Sequence, residues 1–334
     1  MFKSTEIPPK YLFIETTTEC NLRCKQCHMW MSKESENSLT TDEKLKLVRE
    51  FHSLNPSGVI VLTGGETMLK TNEFFSLTKL CRELNLTSAA NTNSTLINES
   101  NYEEVLNEGP KYLVISLDSH IESIHDYIRG VKGSYSHTTK VLRDLAELKR
   151  NKFSNIDTRV ITNTILFDNN ISLWCDYIKF AKHDLKIDGV MFQILSRTFW
   201  NRANGDPFFE KHFFQNKQAA KNDIDRVIAE FENDEFVLTK RNDLDWMKLY
   251  VENPDFIGEQ VCGSHERNIM IDQNGDVQLC FSMRGLMNGN ALGNVRSKTL
   301  TELWTSTLAD EARGIMSNCR QNCGMLNCHR KQVA

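Results

Sequence analysis

Three cysteines, Cys20, Cys24 and Cys27, stand in a C-x3-C-x2-C arrangement directly behind the apolar run 11–14. Thiolates are soft ligands that suit iron–sulfur clusters or zinc, and three so close in sequence can fold round one metal centre. A cluster of four irons has four coordination corners, so three thiolates leave one iron open to another ligand. Zinc is the alternative: it takes C-x2–4-C pairs and wants a fourth ligand, which His28 can supply. Five further cysteines, Cys262, Cys280, Cys319, Cys323 and Cys328, gather toward the C-terminal end. The last two of the ten, Cys81 and Cys175, sit in apolar helical runs and read as small core residues, free cysteine being among the most buried types.

Composition narrows the setting. Forty Lys and Arg against 44 Asp and Glu, net −4, predict no long-range attraction to nucleic acid or to an anionic membrane. Residues 1–10 carry Glu6 and Pro8-Pro9 and no apolar core, which is not a signal peptide, and nowhere does an apolar run reach membrane-spanning length. A cytoplasmic protein is expected. Ten cysteines in a reducing compartment then argue for metal ligands rather than disulfides.

The elements that must position the first cysteines form a repeating pattern. After a strand over 11–16, Thr40-Thr41-Asp42-Glu43 is a capping box with acidic residues in the first turn, and Leu47, Phe51 and Leu54 give that helix its buried stripe. Strands are then expected over 58–63, 87–91, 112–117, 158–165 and 189–195. Helices fall between them, over 73–84, 99–107, 121–128, 137–148 and 172–182. Six strands alternating with helices are the signature of an α/β fold with a parallel sheet, here a partial (β/α)6 barrel of TIM type. Such a barrel places its site at the C-terminal ends of the strands, which is where the cysteine triplet follows the first strand.

With this spacing and setting the chain resembles the radical S-adenosylmethionine (SAM) superfamily, whose cysteine triplet holds a [4Fe-4S] cluster with SAM chelated on the open iron. Gln26 stands where the family usually has an aromatic residue. The resemblance implies that Gly64, Gly65 and Glu66, ending the second strand, meet the amino group of SAM. It also implies polar contacts to the ribose and carboxylate of SAM from the stretches 91–93, which contains Asn93, and 116–118, which contains Ser116 and Asp118. Arg129 matches the family's arginine after the fourth strand, which pairs with a carboxylate. Asn163 and Gln193, on the fifth and sixth strands, face the barrel mouth on this reading.

Residues 196–261 change character, with the pairs Phe199-Trp200, Phe208-Phe209 and Phe213-Phe214 in a polar, helix-prone segment that either packs or covers the mouth. Beyond it, Cys262, a hairpin over 269–279 turning at 272–275, and Cys280 give C-x12-G-x4-C. This form, with the stretch 292–296, the helix 299–304 and the last three cysteines, resembles the auxiliary-cluster domain called SPASM, or its shorter relative, the twitch domain. The expected organisation is a core barrel over 1–195, a helical cover over 196–261 and an auxiliary iron–sulfur domain over 262–334. A full SPASM domain carries about seven cysteines and two clusters, and five are available here. The resemblance therefore implies one auxiliary [4Fe-4S] cluster on Cys262, Cys280 and two of Cys319, Cys323 and Cys328, with a four-cysteine zinc site as the alternative.

The implied chemistry is one-electron cleavage of SAM to a 5′-deoxyadenosyl radical, hydrogen-atom abstraction from substrate near Ser116 and Arg129, and an oxidative outcome served by the auxiliary cluster. An external electron donor of flavodoxin or ferredoxin type is implied as a partner. The expected substrate is a peptide or protein that is oxidised, crosslinked or epimerised; the alternatives are a sugar or aminocyclitol, and a non-catalytic zinc protein. Only about ten residues precede the first strand, so no fused peptide-recognition domain is expected there. No residue stands out as a catalytic base.

Overall fold

The computed structural model describes residues 7–197, 206–255 and 263–319. Its first six strands fall within a residue or so of the expected ones: β1 (Tyr11–Thr17), β2 (Val59–Gly64), β3 (Thr87–Thr92), β4 (Tyr112–Ser116), β5 (Arg159–Leu166) and β6 (Gly189–Ile194). The helices between them are α1 (Thr41–Leu54), α2 (Thr71–Glu83), α3 (Tyr102–Glu108), α4 (Glu122–Arg129), α5 (Ser134–Lys152) and α6 (Trp174–Lys179), the last running on into a π-helical turn, Phe180–Leu185. The capping box is made as the sequence predicts, Glu43 N donating to Thr40 Oγ1 at 3.3 Å and Thr40 N to the Glu43 carboxylate at 2.8 Å.

Strands β1 to β6 pair in parallel and in chain order, each with the next. Residues pointing outward, such as Leu12, Ile14, Ile60, Ala90, Leu113, Ile115, Val160 and Phe192, are buried in the layer below the helices. The alternation of side chains along a strand then turns Glu15, Asn91, Ser116, Asn163 and Gln193 to the inner face. The curve does not close, so the sheet keeps two edges to be covered.

At the β6 edge the cover comes from 206–255, folded as α7 (Pro207–His212), α8 (Lys217–Phe231) and α9 (Arg241–Glu252). Val190 N donates to Phe236 O at 2.9 Å and Leu238 N to Val190 O at 2.8 Å, so this segment pairs with the edge strand. Phe209, Phe213 and Phe214 are buried. Phe209 stacks on Phe213 at 4.6 Å and Trp246 on Tyr250 at 4.9 Å, so these described aromatics pack. Phe199 and Trp200 lie outside the described residues.

At the other edge, α10 (Ser264–Arg267) leads into the expected hairpin, β7 (Asn268–Ile271) and β8 (Val277–Gln278). Strand β7 pairs parallel with β1, matching Leu12 to Ile269 and Ile14 to Ile271, and β8 runs antiparallel beside it. The C-terminal hairpin thus continues the barrel sheet, supplying β1 with the hydrogen bonds that a bare edge would leave unpaired. Helices α11 (Met283–Leu286), α12 (Leu300–Trp304) and α13 (Thr307–Ser317) follow. Among the described residues no helix is long and apolar enough to cross a membrane.

Candidate functional site

The cysteine loop is gripped from two sides through its backbone. Gly65 N donates to Thr17 O at 2.7 Å and Glu66 N to Glu19 O at 2.8 Å. A Cβ at residue 65 would lie 1.9 Å from Glu19 O, and one at residue 64, where φ is +121°, would lie 2.2 Å from Thr17 O. Glycine lets the end of β2 lie directly against the loop. On the opposite side Lys25 N donates to Ile128 O at 2.9 Å, and Gly130, at φ +69°, leaves room for Arg23 O that a Cβ would approach to 2.4 Å.

Below the loop, Lys44 Nζ donates to Thr16 O at 2.8 Å and pairs with Glu73 Oε1 at 2.6 Å. Lys44 is fully buried, and burial pushes its pKa down while Glu73 pulls it up. The sequence reading passed over both residues. The signal was present, since Lys44 lies on the same helical stripe as Leu47, Val48 and Phe51.

Above the loop lies a cavity of about 370 Å³, lined by all three cysteines and by Gly64, Gly65, Glu66, Asn93, Ser116 and Arg129. Of the candidate SAM-site residues Gly64, Gly65, Glu66, Asn93, Ser116, Asp118, Arg129 and Asn163, all but Asp118 and Asn163 are therefore brought together. Each sulfur has a nitrogen donor beside it: Asn93 Nδ2 is 3.9 Å from Cys20 Sγ, Arg129 Nη1 is 3.9 Å from Cys24 Sγ, and Met29 N is 3.4 Å from Cys27 Sγ. Burial pushes the Cys20 and Cys27 thiols above their ordinary values, so a metal must displace the protons. Among the described residues no three His, Cys, Asp or Glu side chains converge closely enough for a single ion. Three sulfurs spread round an open volume, each facing a donor, fit a multi-iron cluster.

The other expected residues have more specific placements. The Glu66 carboxylate accepts from Met68 N at 3.1 Å, Thr92 Oγ1 at 2.6 Å and Asn93 N at 2.7 Å, so it ties the end of β2 to the end of β3. Burial pushes this carboxyl up against those hydrogen bonds. Asn163 points inward beside Gln193, its Nδ2 3.4 Å from Gln193 Oε1; Gln193 lines the cavity and Asn163 stands behind it.

Asp118 also stands behind the cavity wall, with Arg129 Nε 2.8 Å from its Oδ2. Burial pushes the Asp118 carboxyl up and Arg129 pulls it back. Burial opposes the Arg129 charge too, but Asp118 and the Cys24 sulfur outweigh it and hold the guanidinium above its ordinary value. A guanidinium keeps its proton in a protein, so Asp118 faces a fixed positive charge. Asp118 N in turn donates to His125 Nδ1 at 3.1 Å, and burial drives the His125 pKa down to about 3, leaving a neutral ring that accepts this bond. His125 is a further residue whose role the sequence did not disclose.

Of the second cysteine set, Cys280 and Cys319 are described and half-buried; Cys262, Cys323 and Cys328 lie outside the described residues. Helix α13, which ends two residues before Cys319, packs against α10 and α11. Those two begin two residues after Cys262 and three after Cys280.

Residues 14–180 match the radical SAM superfamily, and residues 262–329 match the iron–sulfur cluster-binding domain called SPASM. The chain is 26% identical to the Fe-coproporphyrin III synthase of Methanosarcina barkeri over 350 residues, covering 95% of this chain and 78% of that protein. It is 32% identical over 148 residues to AlbA of Bacillus subtilis, an antilisterial bacteriocin subtilosin biosynthesis protein, covering 43% of this chain but only 32% of AlbA. The fold is that of SuiB from Streptococcus suis, solved with S-adenosylmethionine bound, at a TM-score of 0.69 and 17% identity over 93% of this chain and 72% of SuiB. Its cysteine loop, half-open parallel sheet and C-terminal hairpin are those of an enzyme: the chain belongs to the radical SAM superfamily and carries a SPASM-type iron–sulfur domain.

Proposed function

We propose that this enzyme oxidatively modifies a peptide or protein substrate. The observation that carries the catalytic half of this reading is the cavity shared by Cys20, Cys24, Cys27 and the inward ends of β2 to β6. On this reading those three cysteines hold the SAM-binding cluster. Cys262, Cys280 and two of Cys319, Cys323 and Cys328 hold one auxiliary cluster. When bound, the cluster and SAM would supply one-electron radical chemistry that takes a hydrogen atom from substrate.

The chain's own residues do the positioning. The end of β2 at Gly64 and Gly65, together with Asn93 and Ser116, offers polar groups to SAM at close range. Arg129 offers its guanidinium to the SAM carboxylate while Asp118 fixes its orientation. Ile165, Ile194 and Leu195 line the β5–β6 side of the cavity with apolar surface that keeps water from the reaction. Similarity to AlbA, named for bacteriocin biosynthesis, supports a peptide substrate.

A second reading is oxidation of a carboxylate-bearing tetrapyrrole. It is favoured by the long alignment with the Fe-coproporphyrin III synthase.

The test begins with iron and sulfide on protein purified without oxygen: about eight irons, falling to about four when Cys20, Cys24 and Cys27 become Ala. Reductive SAM cleavage must disappear in that variant. Mass spectrometry of coexpressed precursor peptides, beside incubation with iron coproporphyrin III, then separates the substrates. Loss of a hydrogen pair or a crosslink in peptide supports the first reading, and turnover of the porphyrin alone replaces it with the second.

A further inference from the structure

The cysteine loop has two faces. Cys20, Cys24, Gln26, Cys27, His28 and Met29 line the cavity, whereas Arg23, Lys25 and Met31 turn to solvent, Met31 at 64% exposure. The outward residues join a continuous surface. Arg23 lies 5.2 Å over the Trp30 ring, and Lys25 Nζ lies 5.2 Å over the ring of Tyr127 on α4. Tyr127 OH is 3.0 Å from His212 Nε2, which brings in the neighbouring Lys211 on α7. Gly130, pressed against Arg23 O, leads into exposed Val131 and Lys132. Between α4 and α7 the surface dips into a groove of about 340 Å³ lined by Tyr127, Phe167, Lys211 and His212.

Cations outnumber carboxylates on this surface, to which the loop, α4 and α7 also contribute the exposed Glu19, Glu122 and Glu210. Among the described residues Arg23, Lys25, Lys132 and Lys211 make no ion pair, while many other cations of the chain do. Of the carboxylates on these elements, Asp126 is spent on Gly133 N at 2.6 Å, Ser134 Oγ at 2.9 Å and Tyr135 N at 2.8 Å, and Glu210 lies 3.8 Å from Arg197 Nη2. The chain as a whole carries net −4, so it repels an acidic partner everywhere except where cations are concentrated. Exposed aromatic and aliphatic side chains ringed by unpaired cations form the kind of surface that recognises an acidic protein.

We propose that the face formed by Arg23, Lys25, Lys132 and Lys211 around Tyr127 and Val131 is the docking surface for an acidic one-electron donor protein. The radical SAM reaction requires one electron per SAM cleaved, and this face is the solvent side of the loop whose other side meets the cavity. A donor seated here reaches the cluster without entering the substrate's space. It loses one electron and the cluster gains it, with no bond made or broken. The proposal rests on the assignment of Cys20, Cys24 and Cys27 to that cluster.

The experiment uses anaerobic, cluster-loaded enzyme and a reduced flavodoxin, with bleaching of the cluster absorbance followed in stopped flow. Isothermal titration of oxidised flavodoxin measures binding separately. The Lys132→Glu/Lys211→Glu enzyme, and the milder Lys132→Gln/Lys211→Gln enzyme, are compared with the parent. The expected result is a flavodoxin-driven rate reduced roughly tenfold at low salt by charge reversal, weaker binding in both variants, and a parent rate that falls as salt rises. Iron content and reduction by dithionite stay at the parent's level. Unchanged flavodoxin binding in the variants overturns the proposal, whether or not the cluster is loaded. Parent protein without iron shows instead that the cysteine assignment has failed, before any flavodoxin is added.

Discussion

Arg129 and Asp118 form a buried ion pair, Nε to Oδ2 at 2.8 Å, that points the remaining guanidinium nitrogens at Cys24 and the cavity. Removing one partner of a buried pair leaves the other charge unsolvated, at a cost of about 3–5 kcal/mol. Asp118→Asn is therefore expected to lower unfolding stability by about 3 kcal/mol and to weaken SAM binding, since Arg129 is no longer held in one orientation. Urea unfolding and SAM titration of the same anaerobic preparation check both. Unaltered SAM affinity would remove Asp118 from the positioning role.

The glycine grip makes a sharper prediction about the cluster. In Gly65→Ala the new methyl must displace Glu19 O, which would otherwise lie 1.9 Å away, and the cysteine loop shifts with it. Iron content is expected to drop toward that of the triple cysteine variant. Gly314→Ala in α13, where nothing lies within 4 Å, is the control; it should keep its iron and gain about 0.5–1 kcal/mol in stability from the better helix former.

Lys44 and Glu73 are buried under the end of β1 with Thr16 O as their third partner. Lys44→Met strands the Glu73 carboxylate and is expected to cost about 3–5 kcal/mol. Adding Glu73→Gln to Lys44→Met should recover part of this, giving a coupling energy of about 0.5–3 kcal/mol in a double-mutant cycle measured by chemical denaturation. Strict additivity would mean that the two side chains act independently.

Glu15, on the inner face of β1, predicts a pH dependence. Burial, reinforced by Asp272, pushes its carboxyl from 4.5 to about 7, against the Gln273 amide and Arg284. The folded state thus holds this proton more tightly than the unfolded chain. Its contribution to stability is complete below pH 4.5 and is lost as pH rises toward 7. Glu15→Gln, which cannot ionise, should gain stability relative to the parent as pH climbs through that window. Thermal melts of the two proteins from pH 5 to pH 8 read the difference directly, and a difference that stays flat with pH would contradict the prediction.

Much of this protein was legible before its structure. The C-x3-C-x2-C spacing, the six apolar runs alternating with helical stripes and the capping box at Thr40 are local patterns, and local patterns follow from short-range sterics and periodicity. Gly64, Gly65, Asn93, Ser116 and Arg129 end up round one cavity because a parallel barrel gathers the C-terminal ends of its strands. Tertiary structure decided the rest. Asp118 reads in sequence as a SAM contact; the turn after β4 instead aims it at Arg129, behind the cavity wall. Lys44 is not singled out by any motif and is buried, because α1 lies over the end of β1 and Glu73 arrives from α2. The hairpin reads as part of a separate domain, yet β7 extends the barrel sheet at β1, a pairing across more than 250 residues of chain. Long-range pairings and ion pairs depend on which surfaces meet, and that is settled only when the whole chain packs.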